Sequence, residues 1–231
     1  MPEWAKPNNG GEKVESPPSV ALLTEQIGAV SIEVGQCAQR LSGLLADPES
    51  IPELLAAWSR ETLERWPDLL LGAGAAIEDS SRCRLHWWQL GGNGLDVLLV
   101  DVDPGSMGYY DFTRSKWYTG PYQSHTSHLT GPYVDYLGTD RYVATMTAPI
   151  LVGDDFHGVA GVDFDLSKFE RRFLAASRGA AGHLALTNGE GRVIASDARG
   201  LTCGELLDDG ELVSVVPTGT DEAWMLWELA D

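Results

Sequence analysis

The sequence predicts an α+β fold with a long N-terminal helix followed by an antiparallel sheet. Two observations carry this. Val20, Leu23, Ile27, Val30, Val34, Cys37, Leu41 and Leu44 recur at 3-4-3-4 spacing, which a helix brings onto one face. From residue 70 onward the pattern changes to β-branched and aromatic runs punctuated by Gly and Asp. Neighbouring runs joined by short turns pair antiparallel, because a parallel partner needs a longer crossover.

Residues 1–18, polar and rich in Pro and Gly, read as a disordered arm ending at Pro17-Pro18. Residues 19–67 read as a helical region. Its first helix carries the apolar seam and a second stripe of small residues, Ala21, Gly28, Gly35 and Ser42, at a seven-residue step. Glycine in a helix interior costs about 1 kcal/mol against alanine, so two aligned glycines suggest close approach by another element. The seam fits a dimerising helix or a helix laid on its own sheet, and both readings stay open. A second helix is expected from Ser50, where Ser50 and Glu53 match the S-x-x-E capping box, to its stop at Pro67.

The remainder, 68–231, reads as one ligand-binding domain. Strands are expected at Leu71–Ile77, Leu85–Leu90, Val97–Val102, Arg141–Leu151 and His157–Phe164. The last two form a hairpin apolar on nearly every residue, hence central and covered on both faces. Asp165 should cap a helix over Leu166–Ser177. Strands at His183–Thr187, Arg192–Ser196, Leu212–Val216 and Ala223–Leu229 close the chain, with a tight turn at Asn188-Gly189-Glu190-Gly191. Trp87-Trp88 puts one indole on each strand face, so one ring is expected at the surface or an interface.

The formal net charge of −18 argues against nucleic acid or an anionic membrane surface as partner, since both demand a basic patch. Cys37, Cys83 and Cys203 are odd in number and widely spaced, with no CxxC, which suits a reducing compartment. No apolar stretch reaches membrane-spanning length. The chain is therefore expected to be free-standing, soluble and cytoplasmic.

Chemistry concentrates between Tyr109 and Leu166. Trp117-Tyr118, Pro132-Tyr133-Val134-Asp135 and Gly161-Val162-Asp163 place aromatic rings and carboxylates in an order that suits a small cation. The ring face attracts the ammonium and the carboxylate accepts its N–H bonds. Two carboxylates at one site repel until a cation sits between them. Each residue also has an ordinary reading: Trp117 and Tyr133 as core packing, Asp135 and Asp163 as caps or turn-formers. His125 and His128, in S-H-T-S-H, lack a further ligand at metal spacing and are read as part of a polar roof. Asp101–Gly105 lacks the register of a calcium loop, Gly91–Gly94 lacks the Lys-Ser/Thr of a phosphate loop, and no serine sits in a nucleophile elbow. Neither metal nor cofactor is expected.

These motifs resemble the Cache sensor domains, PAS-like ligand-binding modules. The resemblance is most specific over 107–177: the W-Y pair, P-Y-x-D, the strand Ala144–Ile150, and G-V-x-G-x-D at Gly158–Asp163 followed by a helix. It implies a PAS-like antiparallel sheet. The amino-acid- and amine-binding group of that family implies Tyr110, Trp117, Tyr118, Tyr133, Asp135 and Asp163 as the ligand's aromatic and acidic enclosure. The family's carboxylate-binding Arg would stand at position 115, which is Ser115 here, with Arg114 one residue earlier. On an extended segment that shift turns the side chain to the opposite face. An amine without a carboxylate thus stands beside an amino acid as the expected ligand, with Arg114 and His125 as further candidate contacts. No output segment is recognisable, so a signal is expected to pass to a separate signalling or regulatory protein, with a homodimer through the N-terminal helix as a further expectation. The alternatives are an enzyme on a PAS-like scaffold acting on an amine, with Asp135 or Asp163 as base, and a ligand-free dimerisation module.

Overall fold

The computed structural model describes residues 18–229 except 80–81, 92–93, 102–104, 108, 136–140, 181 and 209. The arm expected at 1–18 lies outside the described residues but for Pro18.

Helix α1 (Pro18–Ser42) and helix α2 (Ile51–Arg65) come first. Strands β1 (Leu70–Asp79), β2 (Arg82–Gly91) and β3 (Gly94–Val97) follow, then helix α3 (Lys116–Ser124). Next come β4 (His128–Val134), β5 (Tyr142–Val152), β6 (Asp155–Asp165) and helix α4 (Leu166–Ala176). Strands β7 (His183–Thr187), β8 (Val193–Ser196), β9 (Glu211–Val216) and β10 (Trp224–Leu229) end the chain. They build two antiparallel sheets, ordered β3-β2-β1-β6-β5-β4 and β8-β7-β10-β9. The β5–β6 hairpin occupies the interior of the larger sheet, as its two-sided apolar pattern requires. No helix of the described residues is long and apolar enough to cross a membrane.

The seam of α1 is consumed within the chain. Val20, Leu23, Ile27, Val30, Val34, Cys37 and Leu41 are all buried in one core with strands β5 and β6. That core also takes in Leu55 and Trp58 of α2, Phe169 and Phe173 of α4, and Leu186, Trp224 and Leu226 of the smaller sheet. Residues 19–67 thus share one apolar interior with the rest of the chain. The close approach expected at Gly28 and Gly35 is not found among the described residues, for nothing lies within 4 Å of where a Cβ would stand.

Four local expectations are corrected. The Ser50 capping box does not form, because Ser50 has helical φ/ψ (−79°, −14°) and its hydroxyl turns back to Asp47 Oδ2 at 2.6 Å. The strand expected at Val97–Val102 is displaced, since β3 pairs with β2 from Gly94 and ends at Val97. Strand β4 was hidden by its Gly131-Pro132, which bulges the register between Thr130 and Tyr133 on an edge strand, where a proline is tolerated. Both indoles of Trp87 and Trp88 are buried, Trp88 in the main core and Trp87 on the opposite face of the sheet.

Asp165 caps α4 as expected, accepting from the backbone N–H groups of Ser167 and Lys168. Its other oxygen accepts from Arg141 Nη1 at 2.9 Å, so Arg141 is engaged at that cap.

Candidate functional site

On the Trp87 face of the larger sheet, α3 and β4 roof a cleft. The segment carrying Trp117-Tyr118 is helical, not extended, because Lys116–Ser124 forms α3. Thr147 on β5 anchors this roof by donating to the Trp117 carbonyl at 2.7 Å. A helix distributes its side chains differently from a strand. Trp117 and Tyr118 are both buried, but only Trp117 lines the cleft. Tyr118 packs edge-on to Phe112 and Phe156 and donates to Glu78 Oε1 over 2.5 Å. Arg114 closes a short 3-10 turn, Phe112–Arg114, and is exposed outside the cleft lining. The expected strand-face argument for Arg114 therefore does not apply. Lys116, one residue before Trp117, lines the cleft instead.

The structure brings together Tyr110, Trp117, Tyr133, Asp135 and Asp163. The first four line both an outer cleft of about 690 Å3 and a narrow inner throat of about 30 Å3, with Asp163 in the throat wall. The other throat residues include Leu85, Trp87, Leu98, Val100 and Thr145. His125 ends α3 with a left-handed φ of 57° and is exposed outside both linings. His128 does line the outer cleft, on β4 rather than on a helix with His125. Its Nδ1 lies 2.8 Å from Asp221 Oδ2 and its Nε2 lies 2.7 Å from Ser124 Oγ.

Asp163 is buried and held on both oxygens. Trp87 Nε1 donates to Oδ2 at 2.8 Å and Thr145 Oγ1 donates to Oδ1 at 2.6 Å. Since the Thr145 proton goes to Asp163, Thr145 accepts from the Tyr133 hydroxyl at 2.5 Å. The Tyr133 oxygen then keeps its lone pairs for another donor. Burial pushes the Asp163 carboxyl up to about 7, with the charge of Asp135 adding to the shift and the Thr145 and Trp87 bonds opposing it. The Tyr133 hydroxyl is raised well above its usual range, first by burial and then by Asp163. Tyr110 is raised by burial, and its hydroxyl lies 3.3 Å from Ser115 Oγ.

Trp87 and Thr145 were not expected as site residues from sequence. The Trp87-Trp88 alternation was the available signal, since it places one indole on the cleft side. The far wall comes from the turns that join strands of the smaller sheet: Asn188, Glu190 and Arg192 between β7 and β8, and Glu222 between β9 and β10. Asn188 Nδ2 donates to the Gly131 carbonyl at 2.8 Å, and Asp221 N donates to the Ser127 carbonyl at 2.9 Å, tying this wall to the roof.

An ammonium offers three N–H donors and a full charge, with no acceptor. The throat offers ionisable carboxyl groups at Asp163 and Asp135, a Tyr133 oxygen and the Trp117, Tyr110 and Trp87 rings. That set is complementary to a cation and hostile to an anion.

Residues 93–171 match the model of the methyl-accepting chemotaxis protein-like first PDC sensor domain. No curated protein matches the chain in sequence. Among solved structures, the ligand-binding domain of the Pseudomonas fluorescens chemoreceptor CtaA, in complex with L-valine, superposes with a TM-score of 0.66 at 14% identity, covering 94% of each chain. The ligand-binding domain of the Pseudomonas aeruginosa PAO1 amino acid chemoreceptor PctB, in complex with L-Arg, does so with a TM-score of 0.64 at 16% identity, covering 91% of this chain and 89% of that one. Methyl-accepting chemotaxis protein X gives a TM-score of 0.63 at 17% identity, with 91% of each chain covered. The matched segment carries the roof, the central hairpin and every residue of the throat except Leu85 and Trp87, and the fold of this chain is that of the Cache, or PDC, chemoreceptor sensor domains.

Proposed function

We propose that this protein is a sensor that captures a small ammonium-bearing metabolite, an amine or an amino acid, in the cleft under α3 and β4. The carrying observation is Asp163: a buried carboxyl at the floor of an aromatic-walled throat, with Asp135 as a second acid beside it. An empty pair of this kind is unfavourable, and a cation between the two groups relieves both the repulsion and the burial cost. Domains of the same fold have been solved in complex with L-valine and L-Arg, which supports an ammonium-bearing ligand for this one. For an amino acid, Lys116 replaces Arg114 as the cleft-lining cation, exchanging its 3.4 Å contact with Glu190 for the ligand's carboxylate.

Signalling goes to a separate partner in this proposal. The cleft spans both sheets, so occupancy favours one arrangement of the roof against the smaller sheet. A reducing, cytoplasmic setting belongs to the same proposal and rests on the free thiols of Cys37 and Cys203.

The near-neutral carboxyl of Asp163 also suits a general base, which is the enzymatic reading. Product formation from an amine during prolonged incubation would favour the enzyme.

A thermal-shift screen with amino acids, amines, polyamines and short carboxylates tests the proposal on wild type and Asp135→Ala. A ligand selective for the native state stabilises it by about 2.7 kcal/mol at a hundredfold excess over Kd. Stabilisation by an ammonium compound that is lost in the variant supports the proposal. Equal, flat responses of both proteins to every cation overturn it.

A further inference from the structure

We propose that the outer cleft contains a second cation subsite, built on Glu222, so that the preferred ligand is an elongated dication: a diamine or a basic amino acid. This rests on the ammonium-capture reading above and assigns the other end of the same ligand.

The volumes motivate it. A throat of about 30 Å3 takes one small headgroup, while the outer cleft of about 690 Å3 lies in the range of sites for larger ligands. A ligand headed by an ammonium in the throat therefore extends toward the smaller sheet. The wall it meets there is acidic. Asp135, Glu190 and Glu222 line the outer cleft, against Lys116 and Arg192. The two cations are already engaged: Lys116 Nζ pairs with Glu190 Oε1 at 3.4 Å, and Arg192 Nη1 donates to the Gly204 carbonyl at 3.0 Å. Glu222 differs. It is half-buried, and its Oε1 accepts the Gly189 amide at 2.9 Å.

The position of Glu222 is fixed by the fold. The hydroxyls of Thr218 and Thr220 both donate to its carbonyl. The neighbouring Asp221 is tied to the roof through Ser127 and His128. Burial raises the Glu222 carboxyl to about 6, the Gly189 amide and the Lys116 charge opposing the shift and Asp221 and Glu190 adding to it. A half-buried carboxylate that accepts from a neutral amide gains from a direct cation contact more than an exposed one does.

Two matched pairs of probes isolate the second charge: L-lysine against L-norleucine, and 1,4-diaminobutane against n-butylamine. Calorimetric titration of the full chain at pH 8 should give at least about tenfold tighter binding for the dication of each pair, as expected for one charge-assisted hydrogen bond. Glu222→Gln should remove that preference and leave norleucine and butylamine affinities unchanged, which also shows that the variant is folded. Lys116→Met, read with 1,4-diaminobutane because it has no carboxylate, should tighten binding by removing the competing cation. Equal affinities within each pair, or a preference that survives Glu222→Gln, overturn the subsite while leaving ammonium capture intact. Failure of all four probes to bind overturns the ammonium reading, and the subsite with it.

Discussion

Trp87 Nε1 reaches across a whole strand to donate to Asp163 Oδ2 at 2.8 Å. Trp87 is on β2 and Asp163 on β6, with β1 between them. The crossing is possible because β1 presents glycine on that face. A Cβ at Gly72 would stand 2.7 Å from Trp87 Nε1 and 3.2 Å from Asp163 Oδ2, and one at Gly74 would stand 2.9 Å from Trp87 Cε3. The sequence Gly72-Ala73-Gly74 thus makes a flat floor on which the indole lies, with the alanine on the core side.

Gly72→Ala should therefore break the Trp87–Asp163 bond. Overpacking of this kind costs about 1–3 kcal/mol. The expected outcome is a lower unfolding midpoint in denaturant, an altered tryptophan emission spectrum and weaker ammonium binding. Unchanged emission and affinity would show that the indole does not position Asp163.

The pH dependence of stability has a definite sign at Asp163. Its folded pKa of about 7 lies above the ordinary 3.8. The native state then binds a proton that the unfolded state has released, so this contribution to stability is present below about pH 4 and is lost as pH rises through 7. Without ligand, Asp163→Asn should be relatively more stable at pH 8 than at pH 4, measured against wild type by thermal melts. Parallel curves for the two proteins would contradict the burial of an ionisable carboxyl there.

Thr145→Val removes the donor to Asp163 and the acceptor for Tyr133 in one nearly isosteric change. Leaving buried polar groups unpaired costs about 1–3 kcal/mol. The pH at which wild-type stability falls should move upward in this variant, because the hydrogen bond that favours the ionised carboxyl is gone. A stability loss with no movement of the transition would assign Thr145 a packing role alone.

The α1 seam is a core element, so Leu41→Ala should cost about 2–5 kcal/mol. Ile32→Ala, on the exposed face at 64% exposure, should change stability by no more than about 0.5 kcal/mol. Both effects should be independent of protein concentration. A concentration-dependent midpoint for Leu41→Ala would instead mean that the seam packs against a second copy.

What the sequence revealed follows from which features are local. The α1 periodicity, the two-sided apolar hairpin and the Asp165 cap are all encoded within single elements, and each appears where its pattern placed it. Tyr133, Asp135 and Asp163 were legible because their motifs sit on or beside those strands. Trp87 was not, because its bond to Asp163 depends on the register of three strands and on glycines in the middle one. Tyr118 and Arg114 were misplaced for one reason: a segment read as extended is a 3-10 turn and a helix, which changes every side-chain direction in it. Strand β4 was lost because Gly131-Pro132 signals a turn in sequence yet makes a bulge at a sheet edge. The wall carrying Glu190 and Glu222 comes from the β7–β8 and β9–β10 connections, far from the motif-bearing segment, and no local pattern marks those turns as part of a site.

The central claim is that an ammonium group binds the ionised carboxyl of Asp163. Calorimetric titration of the best-binding ligand with a single ammonium group, at pH 6 in two buffers of different ionisation enthalpy and again at pH 8, tests it most directly. With a carboxyl at about 7 in the free protein, cation binding at pH 6 should release most of a proton and affinity should rise toward pH 8. Asp163→Asn should show neither proton release nor measurable affinity. Binding without proton release, with equal affinity at both pH values and in the variant, would contradict the account.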